Sequence, residues 1–111
     1  MSDCIFCMII NGDIPSNKVY EDDKCVAFYD VAPAAPVHVL LLPKTHCDNV
    51  TKCDPELLGY MMSKIQVIAE KTGIMESGFR VVINTGKDGG QTVNHLHIHI
   101  IGGKELGWPP C

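Results

Sequence analysis

The chain has 111 residues, 46% of them hydrophobic and 20% charged, with a net charge of −4. This size suits one domain, residues 1–111, whose core is modest enough that a partner subunit or a metal commonly adds stability. The acidic balance excludes a broad nucleic-acid surface, which needs a basic patch, and no apolar run reaches the roughly 20 residues of a membrane span.

The first residues, Met1-Ser2-Asp3-Cys4, carry no basic region and no small-residue cleavage site, so a cytoplasmic protein, with access to the nucleus, is expected. In that setting six cysteines read as reduced thiols or metal ligands rather than a disulfide framework. Residues 4–11 read as a short helix with apolar Ile5, Phe6, Ile9 and Ile10, ended by Gly12 and Pro15. Residues 18–21 and 25–29 read as strands around a polar turn, Asp22-Asp23-Lys24. A proline-rich loop over 30–36 leads to a strongly apolar strand over 37–43. Asp54-Pro55-Glu56 starts a helix, with Asp as the cap and Pro in the first turn. Leu58, Met61, Ile65 and Ile68 follow at helical spacing and Gly73 closes it, a length of about 27 Å. Strands over 79–84 and 93–101 flank a glycine-rich loop at 86–91. Strands joined by short turns, with the helices segregated, predict an α+β fold on an antiparallel sheet.

The chemistry gathers on the last strand, His95-Leu96-His97-Ile98-His99-Ile100-Ile101. Strand alternation sends Leu96, Ile98 and Ile100 to the core and the three histidines to the other face, about 7 Å apart. Such a row reads as a solvated polar face, as a metal site, or as acid, base and nucleophile beside a phosphate. Straight-strand spacing argues against all three reaching one ion through bonds of about 2 Å. A side chain that changes charge near neutral pH suits the third reading. The preceding loop, Asn84-Thr85-Gly86-Lys87-Asp88-Gly89-Gly90-Gln91-Thr92, offers glycines for close backbone approach and polar donors, as a phosphate cradle does. It lacks the ending of a Walker A loop.

This run resembles the histidine-triad signature, His-φ-His-φ-His-φ-φ with φ apolar. Further landmarks of that family follow in order: Cys4-Ile5-Phe6-Cys7, Ile14-Pro15, Tyr20-Glu21-Asp22-Asp23, Phe28-Tyr29-Asp30, Ala35-Pro36-Val37-His38, Pro43-Lys44-Thr45-His46, Gly89-Gly90-Gln91-Thr92-Val93 and Trp108-Pro109-Pro110. The ending and short length are similar to the purine-nucleoside phosphoramidase branch. The resemblance implies a five-stranded antiparallel sheet per subunit, with one short N-terminal helix and one long helix, joined into a ten-stranded sheet across a homodimer. It implies hydrolysis at the α-phosphorus of a purine nucleotide, commonly the P–N bond of an AMP–amine conjugate, through a nucleotidyl intermediate on His97. His99 matches a phosphate contact. Asn84, Gly90, Gln91 and Thr92 match loop positions that hold the phosphate or leaving group, and Asp30 matches a carboxylate on the ribose. Ile5, Phe6, Ile9, Phe28 and Val31 match an apolar purine slot, and would equally serve as ordinary core. His38 matches a position behind the nucleophile, in a proton relay or in strand packing.

Cys4-x-x-Cys7 reads as core thiols, a redox pair, or half a zinc site. A redox pair would follow a strand, and none is expected before residue 4. Zinc needs two more ligands, for which His46 and His95 are the candidates, and the resemblance implies the same structural set, Cys4, Cys7, His46 and His95. Cys25, Cys47, Cys53 and Cys111 are expected to be unpaired. A dinucleoside-polyphosphate hydrolase and a nucleotide-binding interaction protein are the competing functions.

Overall fold

The computed structural model describes residues 4–110, so Cys111 lies outside the described residues. The described chain forms helix α1 (Ile5–Ile10), strands β1 (Lys18–Glu21), β2 (Cys25–Tyr29) and β3 (Val37–Pro43), helix α2 (Pro55–Lys71), and strands β4 (Phe79–Val82) and β5 (Ile98–Gly102). The five strands make one antiparallel sheet in the order β1-β2-β3-β5-β4. The expected α+β class, strand number and two helices all hold.

Alternation along β2, β3 and β5 gives the sheet two faces. Cys25, Ala27, Val39, Leu41, Ile98 and Ile100 face one way and pack with Met61, Ile68 and Ala69 of α2. Val26, Phe28, Leu40 and Leu42 face the other way and pack with Phe6 and Ile9 of α1. The long helix covers one face, whereas the six-residue α1 covers only part of the second. His38 and His99 share the partly covered face, because Leu40 pairs with His99 and His38 with Ile101.

The helix ends follow their chemistry. The Asp54 carboxylate accepts from the Leu57 amide at 3.1 Å, and Gly73, at φ +78°, turns the chain out of α2. Cys4 caps α1, its sulfur accepting from the Cys7 amide at 3.4 Å.

The last two strands are shorter than the pattern predicts. β4 ends at Val82 rather than residue 84, and β5 begins at Ile98 rather than residue 93. The ladder between β3 and β5 stops at Leu41–Ile98. Beyond it Pro43 has no N–H to offer, and its carbonyl accepts from the His95 ring at 2.9 Å. The Leu96 amide donates instead to the Cys47 carbonyl at 2.7 Å. The chain therefore bends before β5, while Leu96, Ile98 and Ile100 keep their places in the core.

Asp22 pins the β1–β2 turn to α2. Its carboxylate accepts from the Tyr20 hydroxyl at 2.6 Å, the Tyr60 hydroxyl at 2.5 Å, and the Lys24 and Cys25 amides at 2.8 and 2.9 Å. Burial pushes the carboxyl up, but these four donors outweigh it and hold it well below the usual carboxylate range. Asp22→Asn leaves at least one donor without an acceptor and should lower unfolding stability by about 2 kcal/mol in urea titration.

Candidate functional site

A cavity of about 530 Å³ opens on the partly covered sheet face, between α1, the segment before β1, the end of β2 and the histidines. Its size is that of a small-ligand site. Of the residues read from sequence, Ile5, Phe6, Ile9, Phe28, Asp30, Val31, Thr92, His97 and His99 line it. Val31 is fully exposed and Ile5 about half exposed, so these two form rim rather than wall. Asn84, Gly90 and Gln91 do not line the cavity. The Gln91 side chain is already engaged: its amide nitrogen donates to the Asp48 and Val93 carbonyls at 2.6 and 3.0 Å, and its oxygen accepts from the Gly86 amide at 3.0 Å. Within that loop, a side chain on Gly89 would meet the Thr85 carbonyl oxygen at 2.5 Å, so only glycine fits.

The sequence reading missed the stretch Ile14-Pro15-Ser16-Asn17, together with Tyr29, Leu40 and Val93. Leu40 was within reach, because it shares a strand face with His38. The stretch at 14–17 carries the Ile14-Pro15 landmark but no sign of a role; it reaches the cavity because β1 pairs beside β2.

The three buried polar residues of the described chain are His38, His95 and His97. Their hydrogen-bond partners set which ring nitrogen carries the proton. His97 Nδ1 lies 2.7 Å from the His95 carbonyl. A carbonyl only accepts, so Nδ1 donates, and in the neutral ring the lone pair falls on Nε2. The Ala34 amide donates to His38 Nδ1 at 3.0 Å, which places the His38 proton on Nε2. That Nε2–H donates to His99 Nδ1 at 2.9 Å, which leaves His99 with its proton on Nε2. Asp30 lies beside this chain, its Oδ2 3.5 Å from His38 Nε2. The site thus holds one nitrogen base, His97 Nε2, and one neutral donor, His99 Nε2–H, on rings whose centroids are 5.0 Å apart.

Two buried side-chain polar atoms lack a partner among the described residues, His99 Nε2 and Ser16 Oγ, and both belong to residues lining this cavity. Phe6 lies edge-on to His97 at 5.0 Å and to His95 at 6.0 Å.

His95 does not join the row of three. The bend before β5 turns its ring away, against His46 and the two cysteines of α1. The Cys4 and Cys7 sulfurs lie 3.4 and 3.5 Å from His95 Nδ1, and His46 Nδ1 lies 3.3 Å from Cys7 Sγ and 3.1 Å from His95 Nδ1. Both Nε2 atoms donate elsewhere, His95 to the Pro43 carbonyl and His46 to Asp48 Oδ1, each at 2.9 Å. The two Nδ1 atoms therefore face each other, beside the two sulfurs. The four donor atoms lie within 4.8 Å of one another and can hold a metal ion. Asp30, His38 and His99 are as close, but the Ala34 amide already occupies His38 Nδ1 and forces the proton onto Nε2, so that group is a hydrogen-bond chain. Cys25, Cys47 and Cys53 are thiols outside any disulfide. Burial and then Asp22 push Cys25 up to about 12. Burial and then Cys53 push Cys47 up to about 12.

The chain belongs to the HIT family: the model of the HIT domain matches residues 11–106. An uncharacterized HIT-like protein of Synechococcus elongatus is 52% identical, the match spanning 97% of this chain and 96% of that protein. A 14 kDa zinc-binding protein of Brassica juncea is 46% identical, over 97% of this chain and 99% of that one. A HIT family hydrolase from Legionella pneumophila has a similar structure, with a TM-score of 0.94 at 38% identity, covering 98% of this chain and all of that one. A histidine triad nucleotide-binding protein from Candida albicans gives a TM-score of 0.89 at 33% identity, over 96% and 83% of the two chains. No helix among the described residues is long and apolar enough to cross a membrane.

Burial first, then His97 and His38, push His99 down to about 4. The folded protein thus holds fewer protons at His99 than the unfolded chain between pH 4 and the usual histidine value near 6.5. Stability should fall as pH drops through that window, and be unaffected by this residue above it. His99→Asn should flatten the slope in denaturant titrations from about pH 7 to about 4.5.

Proposed function

We propose that this chain is a nucleotide-binding hydrolase acting at the α-phosphorus of purine nucleoside phosphoramidates, AMP–amine conjugates, through a nucleotidyl intermediate on His97. The observation that carries this reading is the fixed tautomer of His97, whose Nδ1 donates to the His95 carbonyl at 2.7 Å on the wall of the cavity. A neutral imidazole with a free Nε2 is a good nucleophile and a good leaving group. Nε2 attacks the α-phosphorus, and the electron pair of the broken P–N bond leaves with the amine, which takes up a proton from solvent. Water then attacks the phosphorus and gives a proton back to solvent, the P–Nε2 bond breaks, and AMP departs with neutral His97 restored.

His99 Nε2–H, which meets no other partner among the described residues, donates to a non-bridging phosphate oxygen where charge develops. His38 holds that tautomer through its 2.9 Å bond to His99 Nδ1. One Asp30 oxygen accepts from the Ala32 amide at 2.8 Å, and the other is available to the ribose hydroxyls. The purine lies against Phe6, Ile9 and Phe28, with Ile5 and Val31 at the rim. Thr92 contacts the phosphate or leaving group, while Asn84, Gly90 and Gln91 shape the loop around it.

Cys4, Cys7, His46 and His95 would hold zinc. Tetrahedral zinc with bonds of about 2.05 Å to N and about 2.3 Å to S sets N···N edges of about 3.3 Å and N···S edges of about 3.5 Å. The cluster has 3.1 Å between its nitrogens and 3.3, 3.4 and 3.5 Å between nitrogen and sulfur. With four protein ligands such an ion would supply structure and offer no open position to a reactant. The chain further pairs with a second copy through the free edge of β4, where Val81 is exposed, to give a ten-stranded sheet in a homodimer. This reading places it in the cytoplasm, with access to the nucleus, and without nucleic-acid or membrane partners.

His97→Ala should lower turnover of an AMP–amine substrate by at least roughly a thousandfold, with the AMP dissociation constant held within about threefold by calorimetry. Turnover kept in that variant overturns the proposal. A faster rate on diadenosine polyphosphate than on the phosphoramidate would replace the substrate class.

Native mass spectrometry should find two chains of 12.2 kDa and one zinc per chain. A monomer, or a chain without metal, removes the corresponding claim.

A further inference from the structure

We propose that the Cys4/Cys7/His46/His95 site governs the nucleotide cavity, with His95 as the positioning residue that joins the two: metal held there tightens nucleotide binding and keeps His97 in its attacking tautomer. This rests on the function proposed above for the cavity.

His95 is held at three atoms that serve different ends. Its Nδ1 points into the metal cluster, its Nε2–H donates to the Pro43 carbonyl at 2.9 Å, and its own carbonyl accepts the His97 Nδ1 proton at 2.7 Å. The ring is fully buried. A ring fixed by a metal on one side and by β3 on the other cannot turn without dragging the backbone that carries the carbonyl. Metal binding therefore fixes the acceptor that selects the His97 tautomer, in the way outer hydrogen bonds orient ligands elsewhere.

Two other ligand-bearing segments also end at the cavity. α1 has six residues, far too few to persist alone in water. Cys4 and Cys7 bracket Ile5 and Phe6, which line the cavity, and Phe6 packs edge-on against His97 at 5.0 Å. On the third segment, His46 donates to Asp48 at 2.9 Å, and the Asp48 carbonyl accepts from Gln91 at 2.6 Å. Gln91 in turn holds the Gly86 amide, and the next residue, Thr92, lines the cavity. Without a cation the four side chains lose the partner they would share, and all three connections lose that anchor together.

A metal that only stabilised the fold would raise the melting temperature and leave nucleotide affinity in the folded protein unchanged. Coupling predicts a change in affinity, and it must be reciprocal. The experiment compares zinc-loaded and chelator-stripped protein, both verified as folded by far-ultraviolet circular dichroism. AMP binding is read by calorimetry and the His97 tautomer by the nitrogen-15 shifts of its ring. Stripping should weaken AMP binding by on the order of fivefold or more, and saturating AMP should tighten zinc binding by the same factor. His97 should pass from one Nδ1–H tautomer to a mixture. Cys4→Ser, in which serine still caps α1, should lower zinc affinity and move the zinc dependence of AMP binding to higher concentrations.

Should the stripped chain unfold, His46→Cys provides a loaded alternative. It keeps four ligands at an exposed position but cannot hold Asp48, so AMP binding should weaken while zinc is retained. Equal AMP affinity and an unchanged His97 signal in loaded and stripped protein overturn the inference, as does equal affinity of loaded wild type and His46→Cys. Failure of zinc to bind overturns it too. Absence of AMP binding by loaded wild type overturns instead the nucleotide reading on which it rests.

Discussion

The bond from His97 Nδ1–H to the His95 carbonyl, 2.7 Å long and buried, is the interaction from which the site follows. It exists because β5 does not begin at residue 93. A straight strand over 93–101 would spend the His95 carbonyl on ladder pairing or turn it away from the residue two places on. Pro43 at the end of β3 removes one possible donor, and its carbonyl captures the His95 ring. The chain bends, and the bend frees the carbonyl for the next histidine. A defect in the sheet thus produces a defined tautomer, and with it a nitrogen lone pair on the cavity wall.

The same bend separates two chemistries that the sequence writes side by side. His97 and His99 stay on the sheet face with His38, where their partners sort them into one base and one donor. His95 leaves for the cysteines of α1 and for His46, where the two Nδ1 atoms lie 3.1 Å apart and both sulfurs lie within 3.5 Å of one of them. Neighbours on a straight strand cannot share an ion, and here they do not: the metal-site residue and the cavity pair occupy different sides of one turn. The two sites remain in contact through Phe6, through the His95 backbone and through the Asp48–Gln91 bond. That contact is the physical ground of the proposed linkage between metal and nucleotide.

The elements themselves were legible. Periodicity located both helices and the first three strands at or near their observed ends, because capping residues and turn chemistry act locally: Asp54 and Pro55 start α2, Gly73 ends it, and Asp22 organises the β1–β2 turn. The ends of β4 and β5 were misread for the opposite reason. Whether an apolar alternating run pairs as strand depends on what the neighbouring strand offers at that register. Pro43 lies far away in sequence from the strand it truncates.

The sequence by itself determined which residue types take part: a histidine run with alternating apolar partners, a Cys-x-x-Cys turn, and a carboxylate and aromatics spaced for the same sheet face. Side-chain alternation and the fixed geometry of a helical turn are short-range rules, so these follow from the order of residues alone. Only the tertiary structure decided which hydrogen-bond partner each histidine meets. The protonated nitrogen is chosen by a partner that can be a distant carbonyl, a loop amide or another ring, and those partners come from Pro43, Ala34 and His38. Ser16 and Asn17 likewise reach the cavity only because β1 lies beside β2. The separation of one histidine to the cysteine cluster and two to the cavity is a property of the folded chain, since only folding brings the hydrogen-bond partners that distinguish three identical rings.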